Sequence, residues 1–323
     1  MSTTTEKHKE NLRLMLENGI DYKDTSDISG LLLRIRKMRT RRFDTPISDG
    51  TYKCYINAII YDMKERGVFK DEIKKEIHRE LYKMGRIIEK RSNSGYLIGN
   101  QKKSYTTWDN IVGVFNLLKS GDYKKSYERY KTFVLLSMYM YIPVRRLMDY
   151  EYMHVVSEYR WDMEKDKNYY DTTSKKFYFN IYKTRKYYNQ QVVETTEEHG
   201  RILREYISEN KIGDKESLFG LSKRSMINKM TNLFMKHLGK GISVNIMRHA
   251  YISYLDEHSE MISGGNADLA KLMGHSVSMQ KNYVKKSENI GKEFDDMSAK
   301  PYDKSMKVNV FVDKMNELMK KDN

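Results

Sequence analysis

The sequence predicts a mainly α-helical protein with one small antiparallel β-sheet in its second half, arranged as a helical N-terminal domain followed by a larger α+β domain. Three observations carry that expectation. Only 3 prolines interrupt 323 residues, and long Gly/Ser stretches are few, so helices are joined by short connections. Apolar residues recur at helical spacing through most of the chain, but in HVVSEYRW and KKFYFNIYKT the period drops to two. In RSNSGYLIGNQKKSY the helical period is lost and Gly, Asn, Ser and Lys accumulate. That stretch, near residues 92–105, marks a boundary between a domain of residues 1–104 and one of residues 105–323.

The first third reads as helices. Residues 4–18 form an amphipathic segment, and Asp24 to Asp27 offer caps for a helix carrying Leu31, Leu32, Leu33 and Ile35. After the Pro46 break, Ser48 or Asp49 can cap a helix with Tyr52, Tyr55, Ile56, Ile59, Ile60 and Met63 on its apolar stripe. Cys54 is expected in that helix as a small buried thiol; as the single cysteine it excludes an intramolecular disulfide and a multi-cysteine zinc site. A further helix is expected from about residue 71 to 90. The second domain opens with helical patterns at about 107–119 and 123–142. The alternating segments follow, with Phe177, Phe179 and Ile181 on one face, and QQVVET is read as the returning strand. Helical patterns resume at about 197–209, 222–238, 245–257, 266–273 and 278–286. A last amphipathic stretch sets Val308, Phe311, Val312, Met315, Leu318 and Met319 at helical spacing.

Lys plus Arg is 59 against 44 for Asp plus Glu, a formal net charge of +15. Such a chain is expected to meet a polyanion, nucleic acid before an acidic membrane surface. Hydrophobic residues make up 39% and charged residues 32%, which argues against wholesale disorder. The most apolar run, Phe133 to Val144, is too short to span a membrane. MSTTTEKHKENL holds no apolar signal core, so secretion is not expected. No GxxxxGK(S/T), no GxGxxG opening a helix, no HExxH and no Cys/His ligand spacing occurs. Those absences weigh against ATP-driven and zinc-dependent chemistry, and no cofactor or metal is expected. Scattered carboxylates can still converge in space as a two-metal nuclease site.

What remains is a set of cations, a histidine and a tyrosine in informative contexts. IPVRRLMDYEYM places Arg145 and Arg146 at a helix start after Pro143, and FNIYKTRKYY places Lys183 at a strand end. SVNIMRHAYIS holds Arg248 early in a helix, and KLMGHSVSMQKNY puts His275 beside Gly274 and ahead of Tyr283. Singly, each has a plainer reading. An arginine at a helix start is usually solvated or salt-bridged, and most of the 26 tyrosines must be core or surface residues.

Taken in order, these boxes resemble the tyrosine recombinase (integrase) superfamily, and more loosely its members from large DNA viruses of eukaryotes and their satellites. The family pattern runs Arg, a hairpin Lys, His-x-x-Arg, Gly-His and Tyr within one helical catalytic domain. Here RRLMDY is similar to the first arginine box, YKT to the lysine hairpin, NIMRHAYIS to the second box, and LMGHS with NYVKK to the closing boxes, over roughly residues 106–290. The resemblance implies a helical core-binding domain followed by an α+β catalytic domain. It implies cleavage and rejoining of double-stranded DNA through a 3′-phosphotyrosyl intermediate, with strand exchange via a Holliday junction by a homotetramer. In the family an acidic residue follows the catalytic arginine by three positions. Arg146 with Asp149 fits that spacing, whereas Arg145 would leave Met148 there. Arg146 is therefore assigned as the catalytic arginine, and Arg145 as a phosphate-contacting neighbour. The usual first histidine of His-x-x-Arg is Asn245 here, which can hydrogen-bond but cannot shuttle a proton. His249 is read as a structural helix residue, with a replacement base as the alternative.

The implied roles agree with the charge chemistry. Arg146 and Arg248 would hold phosphate oxygens through planar, permanently charged forks, and His275 would add a hydrogen bond. Tyr283 would be the nucleophile, and Lys183 would protonate the departing 5′-hydroxyl. RIRKMRTRR, with Arg34, Arg36, Lys37, Arg39, Arg41 and Arg42, reads as a DNA-binding phosphate track in the N-terminal domain; its alternatives are a solvated helix end and a nuclear-import signal. Lys102 and Lys103 sit where a clamp would cross the duplex. Tyr105 and Trp108 either stack on bases or pack at the start of the second domain. The C-terminal stripe either folds back or docks on a neighbouring subunit, with docking favoured. Three rival readings stand beside the recombinase. A type IB-like topoisomerase usually presents Ser-Lys-x-x-Tyr, which QKNYVKK does not match. A non-catalytic DNA-binding protein of the same fold is favoured only by Asn245, and a metal-dependent nuclease would need chelatable metal.

Overall fold

The computed structural model of the chain describes residues 4–40, 44–93, 97, 101–258 and 265–285. Arg41, Arg42 and the amphipathic stretch 308–319 lie outside the described residues. The chain separates into two compact units, Met1–Ser94 and Gly95–Asn323. Among the described residues no helix is long and apolar enough to cross a membrane.

The first unit is helical: α1 (Thr4–Glu17), α2 (Ile28–Arg36), α3 (Asp49–Glu65) and α4 (Asp71–Asn93). Short polar side chains set the starts. Asp27 accepts a hydrogen bond from the Gly30 amide (2.8 Å), and Ser48 accepts one from Thr51 (3.1 Å), each satisfying a donor the helix itself leaves free. Met15, Leu31, Ile35, Ile56, Ile59 and Met63 fill the core, and burying each such side chain contributes about 1.5–3 kcal/mol. Cys54 is exposed, which corrects the expectation of a buried thiol. Tyr52 and Ile56 both face the core, and a residue two positions from each points to the opposite side of an α-helix.

The second unit begins with α5 (Gln101–Ser104) and α6 (Trp108–Ser120), a 3-10 turn at Tyr123–Lys125, and α7 (Tyr127–Met140). Helix α7 is buried on nearly all sides from Tyr130 to Tyr139 and packs against α6 and, further along the chain, α10 (Glu197–Glu209) and α11 (Lys223–Leu238). A short helix α8 (Met148–Glu151) leads into the sheet, and α12 (Val244–Glu257), α13 (Gly265–Leu272) and α14 (Val277–Lys281) close the described chain. Tyr105 and Trp108 are buried in this core, Trp108 against Tyr251, so packing and not base stacking is their role.

The sheet has four strands in the order β1 (Met153–Val156), β2 (Asn168–Asp171), β3 (Lys176–Phe179) and β4 (Gln191–Glu194). It is mixed, which corrects the antiparallel expectation: β1 and β2 run parallel, with Met153 opposite Asn168, while β2–β3 and β3–β4 are antiparallel. Strand β2 escaped sequence reading because all four of its residues are buried, leaving no alternation to detect. The connection 157–167 returns the chain for parallel pairing, and Tyr159 stacks on Tyr178 of β3 (centroids 3.9 Å apart) along the way. Two further placements differ from expectation. Strand β3 stops at Phe179, so Lys183 lies in a turn before the short helix α9 (Arg185–Tyr188). Arg145 and Arg146 precede α8 in irregular backbone, and Tyr283 sits in the turn just past α14.

Candidate active site

Arg248 organises the site from inside. Ser243 caps α12 by accepting from the Ile246 amide (3.3 Å), which places Asn245 and Arg248 in the first turns of that helix. The Arg248 side chain is 1% exposed, and its Nη1 donates to the carbonyls of Val144 and Met273. One guanidinium therefore ties the segment carrying Arg146 to the loop carrying His275. Arg146 completes that tie from the other side, donating from Nη1 to the Gly274 carbonyl (2.8 Å). Gly274 adopts φ +67°, a left-handed conformation that glycine takes without steric cost. A Cβ there would approach the Tyr182 ring to 3.3 Å and Arg145 Nη2 to 3.5 Å.

His275 is 1% exposed, and its ring centroid lies 5.4 Å from that of Tyr283 in an edge arrangement. Tyr283 is buried, with its ring centroid 5.1 Å from the Arg248 guanidinium carbon. Beside these groups opens a cavity of about 300 Å³, lined by Arg146, Arg248, Asn245 and Lys223 over apolar side chains including Met148 and Ile227. Two of its neighbours carry unused donors. Arg248 Nε and Nη2 and both His275 ring nitrogens are buried without a well-formed hydrogen bond among the described residues. The Arg248 guanidinium also meets the Tyr283 hydroxyl, and the cluster gives the cavity several donors suited to the oxygens of an anion.

No protein-family model matches the chain, and no curated protein matches its sequence. Among solved structures, "Crystal structure of XerA recombinase" is similar at TM-score 0.42 and 12% identity, over 89% of this chain and 96% of that one. A likeness that distant leaves the assignment to the residues of the site.

Burial pushes the His275 imidazole down to about 3, and the positive charges of Arg248, Arg146 and Arg145 push in the same direction. His275 is thus neutral at pH 7, with one N–H to donate. Burial also lowers the Arg248 guanidinium, opposed by the Tyr283 hydroxyl and Asp149; an arginine so placed stays charged. The site is cationic throughout and suits an anion with several oxygens.

Arg145 sits deeper than Arg146. It is fully buried, donates from Nε to Asp149 (2.9 Å) and from Nη1 to Gln191 Oε1 (2.6 Å) and the Leu272 carbonyl, and lies over the Phe179 ring. Its Nη2 is buried without a well-formed hydrogen bond among the described residues, as are Arg248 Nε and Nη2. Asp149, whose spacing served to choose between the two arginines, pairs with Arg145, while Arg146 lines the cavity. Lys183 is exposed on its turn, and the Thr184 hydroxyl beside it comes to 3.8 Å of where a Cβ on Gly274 would stand. The turn therefore borders the His275 loop. His249 is buried and bonded through Nδ1 to the Tyr283 carbonyl (2.9 Å).

In the first unit Arg34 and Lys37 are exposed. Arg36 is engaged by Asp49 (2.5 Å), the Tyr52 ring and Met84, and Arg39 pairs with Asp44 (2.8 Å). Lys102 and Lys103 are exposed on α5. Sequence reading missed Lys223 and Ile227. The available signal was Ser222, whose hydroxyl accepts from Ser225 (3.3 Å) to cap α11 and so sets Lys223 on its first turn. Among the described residues no group of three or more His, Cys, Asp or Glu is placed to hold a metal ion.

Proposed function

We propose that this chain cleaves and rejoins DNA as a site-specific tyrosine recombinase of the integrase type. The observation that carries the reading is the convergence of Arg146, Arg248, His275 and Tyr283, from separate segments, which brings buried guanidinium and imidazole donors beside one tyrosine and a cavity lined by cations. A phosphodiester has the oxygens those donors want. The Tyr283 hydroxyl loses its proton to water as its oxygen attacks phosphorus, the bond to the 5′-oxygen breaks, and the 3′-phosphate becomes esterified to the tyrosine. Charge building on the non-bridging oxygens is met by Arg146, Arg248 and the neutral His275. Lys183, carried on the turn beside the His275 loop, gives its proton to the departing 5′-oxygen. Reversal with a different 5′-hydroxyl rejoins the strand, and repetition on the partner strand resolves a Holliday junction within a homotetramer on two DNA sites. The net charge of +15 and exposed Arg34, Lys37, Lys102 and Lys103 favour a polyanionic duplex as substrate.

A second reading is a DNA-binding protein without catalysis, favoured by Asn245, which lines the cavity but cannot move a proton. Nicked duplexes bearing the element's own terminal repeats, incubated in EDTA without ATP, separate the two. The recombinase forms an SDS-resistant protein–DNA adduct that Tyr283→Phe abolishes. Tight binding without an adduct selects the second reading, and a metal-dependent cut without an adduct overturns the tyrosine mechanism.

A further inference from the structure

The chain leaves helical geometry after α14: the Tyr283 amide still donates to the Gln280 carbonyl (2.9 Å), but the Tyr283 carbonyl and the Lys285 amide lie past the helical ladder. Helix α12 supplies partners one turn apart. His249 Nδ1 donates to the Tyr283 carbonyl (2.9 Å), and Ser253 Oγ accepts from the Lys285 amide (2.7 Å). Residues four apart lie on one face of an α-helix, so the two side chains grip a single short length of chain.

The histidine is oriented for this task. Burial holds it neutral, pushed down to about 4. Nδ1 must carry the proton to meet a carbonyl, which leaves the Nε2 lone pair toward the Gln101 amide nitrogen at 3.3 Å. Its ring also packs against that of Tyr283, with centroids 4.8 Å apart. Arg248, which faces the same tyrosine ring, is the preceding residue of the helix.

We infer that His249 and Ser253 are positioning residues, a two-point clamp through which α12 holds the backbone of residues 283–285 and sets Tyr283 against Arg248 of the same chain. The link to catalysis rests on the function proposed above; the clamp itself does not. Misplacing a nucleophile by about an ångström costs on the order of 100-fold in rate, so a grip on its backbone acts on chemistry without touching DNA.

The test compares wild type with His249→Leu, His249→Asn and Ser253→Ala by amide hydrogen exchange of the full chain and by the rate of adduct formation on nicked duplex. His249→Leu and Ser253→Ala are expected to raise exchange across residues 283–285 about fivefold or more, the effect of losing one hydrogen bond. Adduct formation falls about 10- to 100-fold, while DNA affinity stays within about twofold. Asparagine places an N–H near the position of Nδ1, so His249→Asn restores both readouts to within about threefold. Wild-type exchange in His249→Leu overturns the clamp, as does failure of His249→Asn to recover. If wild type itself forms no adduct, the proposed function fails while exchange still decides the clamp. If His249→Leu does not fold, Ser253→Ala carries the same test.

Discussion

Lowering the pH from 6.5 to 5.0 should destabilise the second unit steeply, because three of its histidines are buried as neutral rings. His199, His249 and His275 are pushed down from 6.5 to about 3, about 4 and about 3, in each case first by burial. The native state refuses protons that the unfolded chain accepts below 6.5. Their contribution is therefore present above pH 6.5 and is lost as the pH falls from 6.5 toward about 4 for His249 and about 3 for His199 and His275. Each histidine contributes a slope of about 1.4 kcal/mol per pH unit within that window, so the three together contribute about 4 kcal/mol per unit. Ordinary carboxylates begin to add their own loss only below about pH 5. Urea unfolding at half-unit steps between pH 6.5 and 5.0, followed by tyrosine fluorescence and circular dichroism, measures the slope. A single variant isolates one contributor. In His199→Phe the new ring can stack on Tyr141, as the imidazole does (5.0 Å), and Ser137 keeps its bond to the Val134 carbonyl (2.7 Å). That variant should lose about a third of the slope. Stability that is flat across the window, or an unchanged slope in His199→Phe, would refute the assignment of buried neutral histidines.

The two adjacent arginines should separate cleanly. Arg145→Met leaves Asp149 buried without its partner and should cost about 3–5 kcal/mol in thermal or urea unfolding, whereas Arg146→Ala should leave stability within about 1 kcal/mol and depress adduct formation; the reverse pattern would exchange their roles. Lys183→Ala should slow cleavage of an ordinary duplex, and a substrate with sulfur at the bridging 5′ position, a leaving group that needs no proton, should restore the rate. Gly274→Ala forces a side chain into left-handed backbone against Tyr182 and should cost about 1–2 kcal/mol; a melting temperature equal to wild type would contradict the geometry of that turn.

Helices were legible because their signals are local. Asp27 and Ser48 cap α2 and α3 where their types and spacing indicated, and the apolar stripe of α3 faces the core. Strand β2 was not legible, since full burial erases the alternation that marks a half-buried strand. The boxes around Arg248, His275 and Tyr283 stood out by order along the chain, but the choice between Arg145 and Arg146 did not. Both are flanked by the same apolar residues, and only the fold buries one beneath Phe179 and aims the other at the Gly274 carbonyl.

By itself the sequence determined the helical content, the presence of a small sheet, the cationic character and a set of candidate site residues, because propensity, capping and charge belong to residues and their near neighbours. Tertiary structure alone decided which cation lines the cavity, that His249 and Ser253 grip the backbone beside Tyr283, and that Arg248 ties the Val144 and Met273 carbonyls together. Those contacts join segments far apart in the chain. Burial and distance, which set hydrogen bonding and protonation, exist only once the segments have met.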